Sequence, residues 1–259
     1  MAAAALYLRF PWAVLRARSR RPPRPAGSGR FDHSGLRPAL AAVRHGGLAA
    51  LAAVRGDLEA YRSSLADVDP DALTRDGALA FWIDAYNAGA LSLALEARDR
   101  GVGSVRDVVG GFDRPRARVA GERLSLNDIE HGKIRRFHDP RVHAALVCGS
   151  LSCPSLPPEP VDGEALHPQL EAAMRAFLAG GAAVPDRERG EVRLSRVFRW
   201  FGSDFVRPEV MPGWRPVSGR RVLAALAPWL DEEDRAWIAD RRPTVRYLPY
   251  DWALGCRVG

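Results

Sequence analysis

A chain of 259 residues holds one large domain or two small ones, and at this size a core forms without help from disulfides or structural metals. Hydrophobic residues at 47% and charged residues at 27% exclude an intrinsically disordered chain. The net charge of +7 does not mark a nucleic-acid binder: residues 1–30 carry Arg9, Arg16, Arg18, Arg20, Arg21, Arg24 and Arg30 and no acid, and removing those seven leaves 31 basic against 31 acidic residues.

Residues 1–30 therefore read as a disordered basic tail suited to anionic surfaces, with no specific nucleic-acid partner, and residues 31–259 as a single globular domain. The apolar Ala2–Leu15 stretch is interrupted by Arg9 and Pro11, and its positive charges follow rather than precede it, opposite to the secretory order. No run of 18 or more apolar residues occurs, so no membrane-spanning helix is expected. Three cysteines, an odd number, make no disulfide framework, which points to a reducing compartment, the cytoplasm.

Arg20–Gly29, built only of Pro, Gly, Arg, Ala and Ser, reads as a linker. Apolar spacing at Leu48, Leu51, Leu58, Tyr61 and Leu65 predicts helix over residues 36–65. Leu73–Ala97 is apolar nearly all round and predicts a helix buried in the core. Residues 116–124 read as a hairpin about Gly121. Ser125, with Asp128 three residues on, predicts a helix N-cap and a helix running to about Phe137.

Val142–Cys148 reads as a short strand stopped by Gly149-Ser150, and Pro154, Pro157, Pro158 and Pro160 enforce an extended loop after it. Glu164–Leu178 predicts an amphipathic helix, residues 193–195 a short strand, Phe198–Phe201 a helical turn, Arg221–Asp240 a helix broken near Pro228, and Thr244–Leu254 a terminal extended segment. Helices dominate and strands are short and scattered. The fold class is α+β, helix-rich, with a small sheet of short strands.

Four of these segments carry a family likeness. Phe81-Trp82-Ile83-Asp84-Ala85-Tyr86-Asn87-Ala88 resembles the Phe-Trp-Ile-Asn-x-Tyr-Asn-Ala signature of the domain of unknown function 547. Ile129-Glu130-His131 with Ile134-Arg135, the run from His143 to Cys148 with Ser152-Cys153-Pro154, and Tyr250-Asp251-Trp252 resemble its other motifs. The chain departs from the pattern at Asp84, Ala144 and Gly255, where Asn, Phe and Asn are usual. The resemblance implies a domain, not a reaction.

Cys148, ending a strand before two small residues, reads as a nucleophile at a cleft edge or as a buried small hydrophobe. His143 would sit roughly 16 Å from it along a strand and on the opposite face, too far to serve as its base. His131, on a separate helix, is the expected base, with Asp128 or Asn127 to orient it. Asp84 and Asn87, at i and i+3 on a buried helix, must be hydrogen-bonded and read first as anchors of a loop, with either as the alternative third member of the set. Cys153 reads as the weaker nucleophile, since no long helix starts at Pro154 to lower its pKa. A Cys148–Cys153 disulfide and a zinc site adding His131 or His143 are the other readings of these residues. Glu130 and Arg135 read as a helix-face ion pair and loop anchor, and Trp200, Phe201, Phe205 and Trp214 as core.

The expectation is a cysteine-dependent hydrolase or acyl transferase acting on a small molecule or peptide, with no cofactor. The rival is a non-catalytic binding or scaffold module whose motifs are core and loop anchors.

Overall fold

The computed structural model describes residues 12–17 and 19–259. Helix dominates and the strands are short, as the α+β reading requires. α1 (Arg37–Ala53) and α2 (Arg55–Ser64) replace the single helix expected over 36–65. The backbone leaves helical geometry at Gly46-Gly47, which kink α1, and again at Val54, where α1 ends.

α3 (Arg75–Asp99) is the central element. Thr74 caps it by accepting the N–H of Gly77 at 3.0 Å. Its faces are buried in turn by α1, α2 and the residues that follow it, so Phe81, Trp82, Ile83, Leu91, Leu93 and Leu95 all lie inside. Each such large side chain contributes about 1.5–3 kcal/mol on burial. By length and composition α3 would cross a membrane, but 94% of its apolar window is buried within the protein. It is a core helix.

β1 (Pro115–Val119) and β2 (Glu122–Ser125) form the expected antiparallel hairpin. α4 (Leu126–Gly132) follows directly, opened by a capping box in which Ser125 and Asp128 satisfy each other's backbone N–H. It is shorter than expected. After Gly132 the chain tightens into a 3-10 turn, Ile134–Phe137, and His138 turns left-handed.

The expected strand over 142–148 does not form. Pro140–Ala144 is a 3-10 helix, and residues 146–148 run without regular structure to a bend at Gly149. A strand here would need a pairing neighbour, whereas the backbone groups are met by a side chain, Asn87.

The C-terminal part carries α5 (Leu166–Phe177), β3 (Ala183–Asp186), β4 (Glu191–Leu194), α6 (Arg196–Trp200), α7 (Gly202–Val206), α8 (Gly219–Leu226), α9 (Glu232–Arg241) and β5 (Thr244–Tyr247). β4 is central in a three-stranded sheet, antiparallel to β3 and parallel to β5. A second apolar core gathers here from Met174, Leu194, Phe198, Phe205, Val222 and Leu226. Residues 142–148 join the two cores, with Val142 and Ala145 in the first and Ala144 in the second.

The Arg20–Gly29 linker is not free. It runs along the body with the N–H groups of Ala26 and Gly29 donating to the carbonyls of Asp71 and Ala72. Arg20 forms a two-bond pair with Asp128, and Arg21 pairs with Asp71. At Gly27 a Cβ would stand 1.8 Å from the Ala72 oxygen, so glycine is required for this approach. Charge and composition suggested disorder, but two carboxylates and a free backbone edge hold the segment. Of the expected tail, residues 1–11 and 18 lie outside the described residues.

Candidate active site

A cleft of about 1670 Å³ opens between the two cores. Its wall includes Tyr86, Glu130, His131, His143, Cys148, Cys153, Trp200 and Tyr250. Of the residues expected to carry chemistry, Cys148, His131 and Asn127 line this cleft, whereas Asn87 and Asp128 do not.

Asn87 fixes the segment. Its amide donates to the Ala145 carbonyl at 2.9 Å and its oxygen accepts the Val147 N–H at 3.0 Å. It is a backbone clamp set just before Cys148, the loop anchor expected of it, and both ends of its amide are engaged there. Asp128 is likewise engaged elsewhere, by Ser125 and Arg20. Asn127 donates to Asp113. Neither is bonded to the His131 ring.

His131 is not placed to act as a base. Arg135 lies within hydrogen-bond distance of its Nδ1, at 3.2 Å. A guanidinium has donors only, so Nδ1 accepts and the ring hydrogen sits on Nε2. Burial, and then the Arg135 charge, hold its pKa well below the ordinary histidine value. Its basic lone pair is already used.

Arg135 is fully buried and grips Asp204 through two bonds of 2.7 and 2.9 Å, rather than pairing with Glu130. His143 donates from Nε2 to the same Asp204 at 2.9 Å and stacks on Phe201 with ring centres 3.9 Å apart. Burial works against ionising Asp204, but the Arg135 charge and the His143 contact outweigh it and hold the carboxyl far below the usual range. The strand argument against His143 fails because the strand is absent, and His143 lines the cleft.

The two sulfurs form the most distinctive feature. The N–H of Cys148 donates to Cys153 Sγ at 3.0 Å. Cys148 Sγ lies 3.1 Å from Ser150 Oγ, Ser150 donates to Tyr250 Oη at 3.0 Å, and Tyr250 Oη lies 3.3 Å from Cys153 Sγ. One assignment uses every hydrogen once: Cys148 S–H to Ser150, Ser150 O–H to Tyr250, Tyr250 O–H to Cys153. Cys153 is then the terminal acceptor, receiving a backbone N–H and a phenol O–H, which is the environment of a thiolate.

The electrostatics agree. Burial opposes charge on Cys153, yet hydrogen bonds from Cys148, Ser150 and Tyr250 bring its pKa down to about 6. The Cys153 sulfur, followed by burial, pushes Cys148 well up. Tyr250 is raised by burial and remains a donor. Gly149, at φ +87°, makes the turn that returns Ser150 to both sulfurs. The ring thus lowers the Cys153 thiol and raises the Cys148 thiol. No helix end is involved.

Glu130 is the group that sequence reasoning placed elsewhere. Buried in the cleft wall beside Tyr86, its carboxyl is pushed by burial to about 7, against the pull of Arg135 and Tyr86, with the field of Cys153 adding to the rise. Such a carboxyl takes and returns protons near neutrality. Tyr86, Glu130 and Tyr250 all sit inside the four family-like motifs, the one signal in the sequence that could have found them.

Of the expected core aromatics, Phe205 is buried, whereas Trp214 is 49% exposed and lines the cleft with Trp200 and Phe201. Cys148, Cys153 and Cys256 are free thiols. Among the described residues no group of three or more His, Cys, Asp or Glu is arranged to hold a metal, so the zinc set is not assembled.

No curated protein and no solved structure matches the chain. Residues 70–178 match the family model described as "Protein of unknown function, DUF547", a stretch that includes Tyr86, Asn87, Glu130, His143 and both cleft cysteines. By that match, residues 70–178 belong to the DUF547 family.

Proposed function

We propose that this domain is a thiol-dependent acyl-transfer enzyme, hydrolase or transferase, in which Cys153 rather than Cys148 is the nucleophile and Glu130 handles the proton. The observation that carries this reading is the hydrogen-bond ring ending on the Cys153 sulfur, in the same cleft wall as a carboxyl poised near neutrality.

In the forward step the Cys153 thiolate attacks the acyl carbon, and an S–C bond forms as the bond to the leaving group breaks. Protonated Glu130 gives its proton to the departing amine, alcohol or thiol. In the second step the Glu130 carboxylate takes a proton from water or an acceptor nucleophile, whose attack on the thioester releases the acyl group and restores the thiolate. Tyr86 steadies Glu130, and Asn87 positions the segment entering the site. The aromatic wall of Trp200, Tyr250 and Trp252 suits an acyl donor with an apolar body, a small molecule or short peptide. Free thiols in a working site fit a reducing compartment, the cytoplasm.

The test is acylation by an activated ester such as p-nitrophenyl acetate. The expected result is a burst of nitrophenol with the acyl group on Cys153, absent in Cys153→Ser. Acyl label on Cys148 alone, or none on either cysteine, overturns the reading.

A further inference from the structure

The acyl-transfer reading leaves Cys148 without a chemical task, although the residue is the less buried of the two and lines the same cleft. Its relation to Cys153 is closer than sequence spacing requires. Both sulfurs contact Ser150 Oγ, at 3.1 and 3.4 Å, and both contact Tyr250 Oη, at 3.5 and 3.3 Å. The 3.0 Å contact from the Cys148 nitrogen to Cys153 Sγ has a geometric consequence. One N–Cα bond of about 1.46 Å places Cys153 Sγ within about 4.5 Å of the Cys148 Cα. That is bridging range for a cysteine pair, and residues 146–149, without regular structure, lie where any adjustment is needed.

We propose that Cys153 and Cys148 form a peroxide-reactive pair, in which hydrogen peroxide oxidises Cys153 and Cys148 resolves it to a reversible disulfide that silences the nucleophile. The inference rests on the same assignment of Cys153 as the reactive sulfur. In the first step the Cys153 thiolate attacks one peroxide oxygen. An S–O bond forms, the O–O bond breaks, and the departing hydroxide takes a proton from the medium. The Ser150 and Tyr250 hydroxyls, 3.4 and 3.3 Å from the sulfur, are donors available to a peroxide oxygen that approaches it. In the second step Cys148 loses its proton, attacks the Cys153 sulfur and displaces hydroxide, which leaves as water. Overall two thiols are oxidised by two electrons, and one peroxide becomes two waters.

The size of the oxidant is set by access. Cys153 is only 5% exposed, which admits a small peroxide more readily than a bulky disulfide. Cys256 supplies an internal reference, being a free thiol that burial pushes up to about 12.

The experiment treats the reduced full-length protein with hydrogen peroxide, blocks remaining thiols and digests with trypsin. No Lys or Arg lies between Arg141 and Arg175, so both cysteines fall on one peptide and a bridge appears as the loss of two hydrogens. The expected result is that loss, reversed by dithiothreitol, at a rate about tenfold or more above oxidation of Cys256. Cys148→Ser is expected to stop at a sulfenic acid on Cys153, trapped by dimedone. Cys153→Ser is expected to show no fast oxidation. Wild-type protein that is acylated at Cys153 but forms no bridge overturns this inference alone. Cys153 that neither acylates nor oxidises faster than Cys256 overturns both this inference and the acyl-transfer reading.

Discussion

The backbone N–H of Cys148 points at the sulfur of Cys153, 3.0 Å away, so Cys148 serves as a hydrogen-bond donor to its neighbour. The hydroxyl chain through Ser150 and Tyr250 completes the arrangement from the other side. Everything chemical in the account follows from where the single missing hydrogen of this ring resides.

Glu130→Gln is expected to stabilise the protein while removing activity. The folded carboxyl titrates at about 7 against an ordinary 4.5. A raised folded value means that the cost of this carboxyl is absent below pH 4.5, grows between 4.5 and 7, and is complete above 7. That gap corresponds to about 3 kcal/mol. Urea unfolding at pH 8 should therefore favour Glu130→Gln by up to that amount, with the difference vanishing at pH 4. Equal stabilities at both values would show that Glu130 is not strained.

Asn87→Ala is expected to destabilise by about 2–4 kcal/mol, because it leaves both the Ala145 carbonyl and the Val147 N–H unmet. Denaturation midpoints check this. A loss below about 1 kcal/mol, the range of an ordinary exposed hydrogen bond, would mean that the clamp is replaceable by water.

Asp204→Asn is expected to cost about 3–5 kcal/mol, since Arg135 would remain buried beside an uncharged partner. Asp204 is held far below the usual carboxylate range, so its contribution is present above the ordinary value of 3.8 and is lost as pH falls through its folded value. Acid unfolding of the wild type and Asp204→Asn should accordingly converge at low pH. A constant gap down to the most acidic conditions would contradict the pairing.

Asp84→Asn is expected to stabilise at neutral pH. The Asp84 carboxyl is buried, accepts the Val161 N–H at 2.9 Å and lies 3.2 Å from His33 Nδ1, while burial pushes its pKa well up. Burial also holds His33 at about 4, so His33 offers no charge to pair with it at pH 7. The cost is absent below pH 3.8 and grows above it, so the gain from Asn should appear only as pH rises. A loss of stability at pH 8 would show that the charge is wanted there.

Much of this was legible in the sequence where local rules act alone. The Ser125–Asp128 capping box, the hairpin, the buried α3 and the break near Pro228 depend on near neighbours and on periodicity, and each is present. The segment 142–148 was misread because its apolar pattern suits a strand, while its backbone partner is Asn87, some sixty residues earlier. Of the candidate cleft, Cys148 and His131 were legible as residues, whereas Glu130, Tyr86 and Tyr250 were not singled out for the site and Asn87 and Asp128 lie outside its lining. His131 was disarmed by Arg135 four residues on, Arg135 was drawn from Glu130 by Asp204, and Cys153 gained its donors from Tyr250 at the far end of the chain. Those are tertiary choices between equally plausible partners, and spacing does not rank them.

The most direct test follows alkylation of the individual cysteines by iodoacetamide as a function of pH, read by fragmentation of the tryptic peptides spanning residues 142–175 and 247–257. Cys153 is expected to react fastest, with a midpoint near 6, while Cys148 and Cys256 stay slow through neutrality. A Cys153 midpoint at or above the ordinary thiol value of 9.0, or Cys148 reacting first, would contradict it.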